Sequence, residues 1–523
     1  MILQTSDYKQ LDLTSIECQR VLEQARLDTA KSAAERNRLG QFATPNALAS
    51  AILNYSKSLL SPKEKVRFLD PAIGTGSFYS ALLQTFSSEQ IERAIGYEID
   101  PNVAEIAQKL WKSSSLKVEC SDFTKIATPK HEQSKANLLI CNPPYVRHHH
   151  LSTTEKQLLR ELAIARSGIQ LSGLAGLYCY FLLAAHEWMT EGGLACWLIP
   201  SEFMDVNYGK QIKSYLLNSV SLLRVHRFEP EDLQFGDALV SSSIIWFRNT
   251  RLQQDHAVEF TFSGSIDKPL ITKLISTKTL RTSAKWTQIT VASQRQDAPQ
   301  AKLSDLFEIK RGVATGANQF FILTPKQIEA FEISQEFLTP ILPSSRYLPS
   351  DEILADEQGN PVLDRKLFLL TCTDSPEKLQ RESPAVWKYL QSGVKAGVAE
   401  GYLCRHRSLW YLQENRQPAP FLCTYMGRTG AKRGNPFRFI LNHSSAIAPN
   451  VYLMMYPKSD LARLLSTHPE QCHSIWNALK SIPVQHLIAE GRVYGDGLHK
   501  LEPKELASAS AEELLRIIET IVK

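Results

Sequence analysis

Asn142-Pro143-Pro144-Tyr145 directly follows an apolar run at residues 137–141. Two successive prolines end a strand abruptly and restrict the backbone on either side. Pro143 has no N–H, but its carbonyl remains an acceptor. An asparagine side-chain oxygen and a backbone carbonyl, held rigidly, can accept both hydrogens of an exocyclic amine. That grip has a chemical use. An amine on an aromatic ring shares its lone pair with the ring and is a poor nucleophile. Hydrogen bonds to both protons favour a pyramidal nitrogen, whose lone pair can point at an electrophile. In-line proximity then suffices without a strong base. Tyr145 is placed to stack on the ring.

A second set of residues describes the electrophile's carrier. The run at 66–70 ends in Asp70-Pro71-Ala72-Ile73-Gly74-Thr75-Gly76. A glycine turn between strand and helix lets the backbone approach a ligand at the carboxyl end of the sheet. A dinucleotide fingerprint would require a third glycine where Tyr79 stands, which argues against NAD or FAD. Asp70 suits a cationic ligand better than a pyrophosphate. The next run ends in Glu98-Ile99-Asp100, where a carboxylate can take two ribose hydroxyls. The third ends in Asp122-Phe123, an acceptor for an adenine amine beside a ring for the purine face. An adenosine with a positively charged amino-acid arm satisfies all of these groups, which describes S-adenosylmethionine.

These residues need a scaffold that brings strand ends together. Apolar runs at 66–70, 93–99, 116–120, 137–141, 194–199, 222–227 and 239–247 alternate with helical stretches. That alternation predicts an α/β, doubly wound, mostly parallel sheet of seven strands. About ten residues separate the last two runs, too few for an easy helical crossover, so that pair is expected to be antiparallel. Polar, helically spaced residues before position 40 predict one or two N-terminal helices. The expected organisation is a catalytic domain over 1–275, a connection over 276–302 and an α+β domain over 303–523.

The 523 residues are 43% hydrophobic and 22% charged, the balance of a globular chain. No apolar run approaches the roughly 18 residues of a membrane span. The start of the chain does not have the pattern of a secretory signal. Nine scattered cysteines form no CxxC pair and fit a reducing cytoplasm. The net charge of +5 is too small to announce a polyanionic partner by itself. Its distribution is more telling. Residues 401–450 carry seven basic residues (Arg405, Arg407, Arg416, Arg428, Lys432, Arg433 and Arg438) against Glu414 alone, with Tyr402, Trp410, Tyr411 and Tyr425 among them. Such a cluster is the footprint expected of a nucleic-acid surface, with Arg311 in an earlier glycine turn as a further candidate.

The chain resembles the gamma group of adenine-N6 DNA methyltransferases that accompany bacterial restriction enzymes. Gly40-Gln41-Phe42-Ala43-Thr44-Pro45 is similar to that family's element upstream of the cofactor loop. Asp70 to Gly76 is similar to the loop itself, Glu98 to the ribose acid, Asp122 and Phe123 to the adenine contacts, and Asn142 to Tyr145 to the catalytic motif. Gly176 to Phe181 and Pro200 to Phe203 match later elements, and residues 307–321 look like the opening of its target-recognition domain. The resemblance implies a Rossmann-like methyltransferase domain and a C-terminal DNA-recognition domain. It implies cofactor contacts from Thr44, Asp70, Ala72, Gly74, Gly76, Glu98, Ile99, Asp122, Phe123, Asn142 and Phe181. Asn142, Pro143, Pro144 and Tyr145 would be catalytic, with Phe235 a second ring stacking on an adenine swung out of the duplex. Arg311, Arg405, Arg407, Arg428, Lys432 and Arg433 would meet double-stranded DNA.

The implied enzyme is a cytoplasmic monomer that protects host DNA from a separately encoded restriction endonuclease. Methyl transfer calls for no metal, and His148-His149-His150 is not expected to bind one. Two alternatives stay open: an RNA or protein-glutamine methyltransferase, since the tetrapeptide suits those substrates too, and a bifunctional restriction or DNA-binding defence protein. Glu308-Ile309-Lys310 has the form of a nuclease fragment, but no well-spaced partner acid accompanies it.

Overall fold

The computed structural model describes residues 12–228, 241–251, 255–287, 289, 301–428, 435–494 and 498–522. The expectations for Phe235, Lys432 and Arg433 lie outside the described residues. The chain divides into two units, residues 1–295 with 494–496, and residues 296–493 with 497–523.

The first unit is built on one sheet. Its strands are β1 (Val66–Asp70), β2 (Ile91–Glu98), β3 (Leu116–Cys120), β4 (Ala136–Cys141), β5 (Met189–Pro200), β6 (Ser221–Arg227), β7 (Ser242–Arg248), β8 (Ala257–Gly264) and β9 (Pro269–Ser276). They lie in the order β3-β2-β1-β4-β5-β7-β6-β8-β9. β3, β2, β1, β4 and β5 are mutually parallel, and β7 inserts antiparallel between β5 and β6, as the short connection predicts. The expected count of seven strands is corrected to nine among the described residues, because β8 and β9 extend the sheet beyond β6.

The inner strands are apolar on both faces because helices cover both. Leu139 and Cys141 of β4 enter one core with Trp197, while Leu138 and Ile140 enter the other with Leu198. The covering helices begin and end where the local chemistry dictates. Asp100 caps α5 (Pro101–Leu110) through the Asn102 N–H, and Pro101 occupies its first turn. A reciprocal Ser152/Glu155 box opens α6 (Thr153–Ser167), and left-handed Gly168 closes it. Chain order runs outward from β1 to β3 and then returns to β4. The reversal falls between β1 and β4, the position at which open α/β sheets bind ligands.

The expected connection begins too early. Residues 276–286 complete β9, form α9 (Thr277–Thr282) and bury Trp286 against Phe203 and Phe260. Leu280 and Trp286 are isolated apolar residues among Thr, Ser and Lys, so the stretch reads as polar although its two anchors are buried.

The second unit holds a five-stranded sheet of β10 (Phe307–Arg311), β11 (Glu352–Ile353), β12 (Phe421–Thr424), β14 (Phe439–Asn442) and β15 (Tyr452–Pro457). The strand order is β10-β15-β12-β14-β11. A separate ladder pairs β13 (Met426–Arg428) with β16 (Leu498–Lys500). Helix α10 (Cys472–Ser481) is fastened to β14 by a hydrogen bond from Trp476 Nε1 to the Phe439 carbonyl, 2.8 Å.

Candidate active site

The loop after β1 carries the first group of predicted residues. Gly74 and Gly76 have φ of +56° and +93°, a region that favours glycine. The space a Gly74 Cβ would enter is open, whereas a Cβ on Gly76 would stand 2.3 Å from Trp111 Nε1, so the two glycines serve different ends. Gly76 permits tight packing of the loop on α5's end, and Gly74 leaves room for a ligand. Asp70 is 1% exposed. Its Oδ1 accepts the Ala72 N–H at 3.0 Å, the Cys141 thiol lies against the same carboxyl, and Oδ2 is buried with no hydrogen bond of normal geometry. Burial, added to by the nearby Glu98 charge, pushes its pKa up to about 8, against the pull of the Ala72 N–H and the Cys141 thiol. A buried carboxyl with an unmatched oxygen is the group expected to await a cation.

At the tip of β2, Glu98 accepts the Gly74 and Asp100 N–H groups at 3.1 and 2.9 Å. Burial raises its pKa in spite of them. A carboxylate has about four lone-pair directions, so capacity remains for a ribose hydroxyl. Ile99 beside it is 64% exposed, an uncovered apolar side chain suited to a purine face. At the tip of β3, Asp122 Oδ1 takes the backbone N–H and the hydroxyl of Thr124, and Lys125 stands 3.2 Å from Oδ2. Phe123 is buried with its ring 5.9 Å from that of Phe181 and 5.1 Å from Trp188. Phe181 lies on α7 (Leu177–Ala184). Together these groups suit S-adenosylmethionine: an unmatched buried carboxylate for its positive charge, a diol acceptor, and aromatic and aliphatic surface for its base.

Asn142 follows β4, and the segment predicted to lie upstream of the loop holds it. Its Nδ2 donates to the Phe42 carbonyl at 2.8 Å and to Thr44 Oγ1 at 3.1 Å. A carbonyl can only accept, so the amide cannot be flipped without loss. Oδ1 is left buried with no hydrogen-bond partner. Thr44 is in turn buried and takes the Ser77 hydroxyl on its carbonyl at 2.7 Å, which ties this segment to α4 (Ser77–Thr85). Gly40 accepts the Tyr145 N–H at 3.1 Å, and at φ +65° a Cβ there would be 2.3 Å from that nitrogen. Pro143 is buried and Pro144 half-buried. Tyr145 is 7% exposed, bonded through its hydroxyl to the Leu198 carbonyl at 3.1 Å and tilted against Phe42.

Other residues of the site are not legible in the sequence. From α1 (Leu13–Thr29), Arg20 donates to Thr75 Oγ1 at 3.2 Å and Gln24 accepts from it at 3.0 Å, so the N-terminal helix is bolted to the glycine loop. Arg20 is buried and paired with Glu17, which also takes the Ser80 hydroxyl. Lys31 bridges Gln41 at 2.8 Å and Asp100 at 2.9 Å, joining the upstream segment to the tip of β2. Beyond the tetrapeptide, the Leu177 N–H donates to the Val146 carbonyl, and Tyr178, Tyr208 and Glu202 form a hydrogen-bonded chain. Burial and Lys156 lower the His148 pKa against the pull of Glu202. Gln41, Leu177, Tyr178, His148 and Glu202 lie in segments that the sequence marks, but their mutual contacts, and the parts played by Glu17, Arg20, Gln24 and Lys31, carry no such signal.

In the second unit the predicted cations differ from one another. Arg311, Arg405 and Arg428 are exposed. Arg311 donates through Nε to the Asn450 carbonyl at 3.1 Å and lies over the Tyr425 ring at 4.1 Å, and Arg405 lies 5.5 Å from the Tyr402 ring. Arg407 turns inward and donates to the Ala314 carbonyl at 2.8 Å. Arg416 pairs with Glu414 at 2.8 Å and Arg438 with Asp351 at 2.6 Å, so part of the basic excess is spent within the fold.

Comparison with known proteins bears on this arrangement. A model described as Eco57I restriction-modification methylase matches residues 44–234, and one described as Type II methyltransferase M.Eco57I, C-terminal domain, matches residues 277–520. Between them the two models match most of the chain, which is thus similar over both units to restriction-modification methylases. It is 26% identical over 492 residues to the Type II methyltransferase M.AccI of Acinetobacter calcoaceticus, covering 90% of this chain and 85% of that one. It is 27% identical to M.XamI of Xanthomonas campestris pv. amaranthicola, covering 90% and 84%. The solved structure of the Type IIL restriction-modification enzyme MmeI in complex with DNA is similar in fold, with a TM-score of 0.54 at 14% identity, over 90% of this chain and 68% of that one. The chain is thus a DNA methyltransferase of a restriction-modification system, and its cofactor is S-adenosylmethionine. Among the described residues, no helix is long and apolar enough to cross a membrane.

Proposed function

We propose that this methyltransferase acts on the exocyclic N6 of an adenine within a specific duplex DNA sequence, after that adenine has been swung out of the helix. One observation carries the reading: Asn142 spends both amide hydrogens on the Phe42–Thr44 segment and presents an unmatched buried oxygen at the tip of β4. An acceptor fixed in this way selects a hydrogen-bond donor, which an exocyclic amine is and a ring carbon is not.

Bound S-adenosylmethionine supplies an electrophilic methyl group on a positively charged sulfur. Asp70 would meet the positive charge of the cofactor, Glu98 its ribose, and Asp122 with Phe123, Ile99 and Phe181 would frame its base. Thr44 holds Asn142. Asn142 Oδ1 and the Pro143 carbonyl each accept one hydrogen of the adenine amine. Held in this way, the nitrogen would be favoured in a pyramidal form with its lone pair free for the methyl group that the bound cofactor would supply. No residue needs to remove a proton beforehand, and the surplus proton leaves to solvent after transfer. Tyr145 flanks the base, with its ring angle set by Phe42 and Leu198. Stacking on one ring offsets about 1–3 kcal/mol of the cost of unpairing the base. Arg311, Arg405 and Arg428 meet DNA phosphates or base edges, whereas Arg407 positions the loop that carries Ala314. The product shields host DNA from a restriction endonuclease that reads the same site.

The test is methylation of host-genomic or plasmid DNA with methyl-labelled cofactor, followed by nucleoside analysis. Label is expected in N6-methyl-2′-deoxyadenosine. Label confined to a methylated cytosine, to RNA or to protein would overturn the proposal.

A further inference from the structure

Methyl transfer uses nothing from one polar cluster in the second unit. Among the described residues, Glu352, His443 and His473 form a group whose metal-ligand atoms all lie within 4.8 Å of one another. Both imidazoles present Nε2 to the same carboxylate oxygen, Glu352 Oε1, at 3.0 Å from His443 and 2.7 Å from His473. We propose that these three side chains bind one divalent transition-metal ion of the zinc class.

The donor set decides the ion. Two imidazoles and one carboxylate suit Zn²⁺, Co²⁺ or Ni²⁺, while Mg²⁺ and Ca²⁺ prefer oxygen alone. Metal–ligand bonds of about 2.0–2.2 Å put neighbouring donors of a tetrahedral ion roughly 3.3 Å apart. The two imidazole–carboxylate spacings of 3.0 and 2.7 Å open by roughly 0.3–0.6 Å to reach that value, and the two imidazole nitrogens, which lie within 4.8 Å of one another, settle at the same spacing. Three elements bring the donors together, and each is held independently of the cluster. Glu352 opens β11, which pairs in parallel with β14, and the His443 N–H donates to the Ile353 carbonyl at 2.9 Å. His473 lies in the first turn of α10, which the Trp476 hydrogen bond fastens to β14. The His473 side chain is 52% exposed, so water can complete the coordination.

The site has a structural use. β11 is an edge strand of two residues, and so short a ladder is a weak hold. An ion shared by β11, the residue after β14 and α10 clasps that edge to the helix. Neither alternative explanation uses the third element as well. A pairwise ion contact would need only one histidine, and a simple cap on the edge strand would need no second imidazole on the same oxygen.

The full-length protein, cleared with a chelator, would be titrated with Co²⁺ and followed by visible absorption, with Zn²⁺ added as competitor. One Co²⁺ per chain is expected, with a four-coordinate spectrum that Zn²⁺ abolishes. His473→Gln and Glu352→Gln should each weaken binding by at least about tenfold, the low end of what outer-shell changes alone do. Zn²⁺ should raise the melting temperature of the wild type and leave that of His473→Gln unmoved, while far-UV circular dichroism shows that the variant is folded. His148-His149-His150 is the competing histidine run, so a His149→Gln/His150→Gln variant should keep the signal. Loss of the signal in that variant, persistence in His473→Gln, or no saturable Co²⁺ spectrum in the wild type would each overturn the site.

Discussion

The two units treat their charged side chains in opposite ways. In the first, Arg20 and Asp70 are buried, and the polar groups around the crevice are locked by named partners. One oxygen each of Asp70 (Oδ2) and Asn142 (Oδ1) is left unmatched. In the second, Arg311, Arg405 and Arg428 are exposed, with Arg311 also donating to the Asn450 carbonyl, while Arg407 and Arg438 bond further into the fold. A reaction centre gains from groups that are already placed before the substrate arrives, and burial of an unmatched oxygen is the cost of that readiness. A surface that must follow a DNA backbone gains from long cations in solvent, where each contact is modest and replaceable. Single substitutions should therefore be drastic in one unit and incremental in the other.

The sharpest break of this contrast is at Asn142. Replacement by Ala removes an acceptor of the amine while leaving Asp70 and Glu98 in place. The loss of one preorganised hydrogen-bonding group predicts a fall in kcat of about 10²–10³-fold or more, with cofactor affinity little changed. Single-turnover methylation and calorimetric cofactor binding separate the two. Full activity in Asn142→Ala would remove the tetrapeptide's role. Gly40→Ala should be next. Its Cβ would collide with the Tyr145 nitrogen at 2.3 Å, in a backbone region costly to a side chain. The segment that orients Asn142 must then shift. Displacement on that scale predicts a kcat loss of up to about 10²-fold, with destabilisation of about 1–3 kcal/mol seen as a lower Tm.

The contrast also explains which parts were legible in the sequence. Asn142 to Tyr145 stood out because two prolines leave the backbone few options, and Asp70, Glu98 and Asp122 because strand ends can be read from apolar runs. The orientation of the Asn142 amide was not readable, since it depends on Phe42 and Thr44 about a hundred residues away. The hold of Arg20 and Gln24 on Thr75 was equally hidden, because nothing local distinguishes them from solvated helix residues. β9 escaped because Leu270 and Leu274 are exposed, at 77% and 74%, and its pattern follows no buried face. Summed charge marked residues 401–450 as basic but could not show that Arg407 and Arg438 point into the fold. Glu352, His443 and His473 come from three distant segments that carry no shared motif.

The third test concerns pH. The folded-state pKa of Asp70, at about 8, lies above the ordinary carboxylate value of 3.8, so the folded protein without cofactor keeps its proton at neutrality. By linkage, that group's contribution to stability is greatest at low pH and declines as pH rises from the unfolded value through about 8. A cationic ligand reverses the preference and expels the proton. Cofactor affinity should therefore climb as pH rises towards 8, by up to about tenfold per unit. Calorimetry in buffers of different ionisation enthalpy should detect close to one proton released. In Asp70→Asn the affinity should be weak and nearly independent of pH, and a steep dependence there would move the linkage to another group.

The smallest effects are expected in the second unit, and they separate its two kinds of arginine. Each cation that meets a phosphate releases condensed counterions, so removing one lowers the slope of log K against log salt by about 0.9. Arg311→Ala and Arg405→Ala should each flatten the slope by roughly that amount and weaken specific and non-specific DNA alike. Arg438→Ala should do neither. Its guanidinium holds Asp351 at 2.6 Å and the Ser345 carbonyl at 2.7 Å, each partly exposed, so its loss should cost up to about 1 kcal/mol of stability at an unchanged salt slope. Filter binding across a salt series, alongside thermal unfolding, distinguishes the two outcomes. If Arg438→Ala flattened the slope as much as Arg405→Ala, charge in this unit would act as a diffuse field, and the division between exposed and inward-turned arginines would carry no functional meaning.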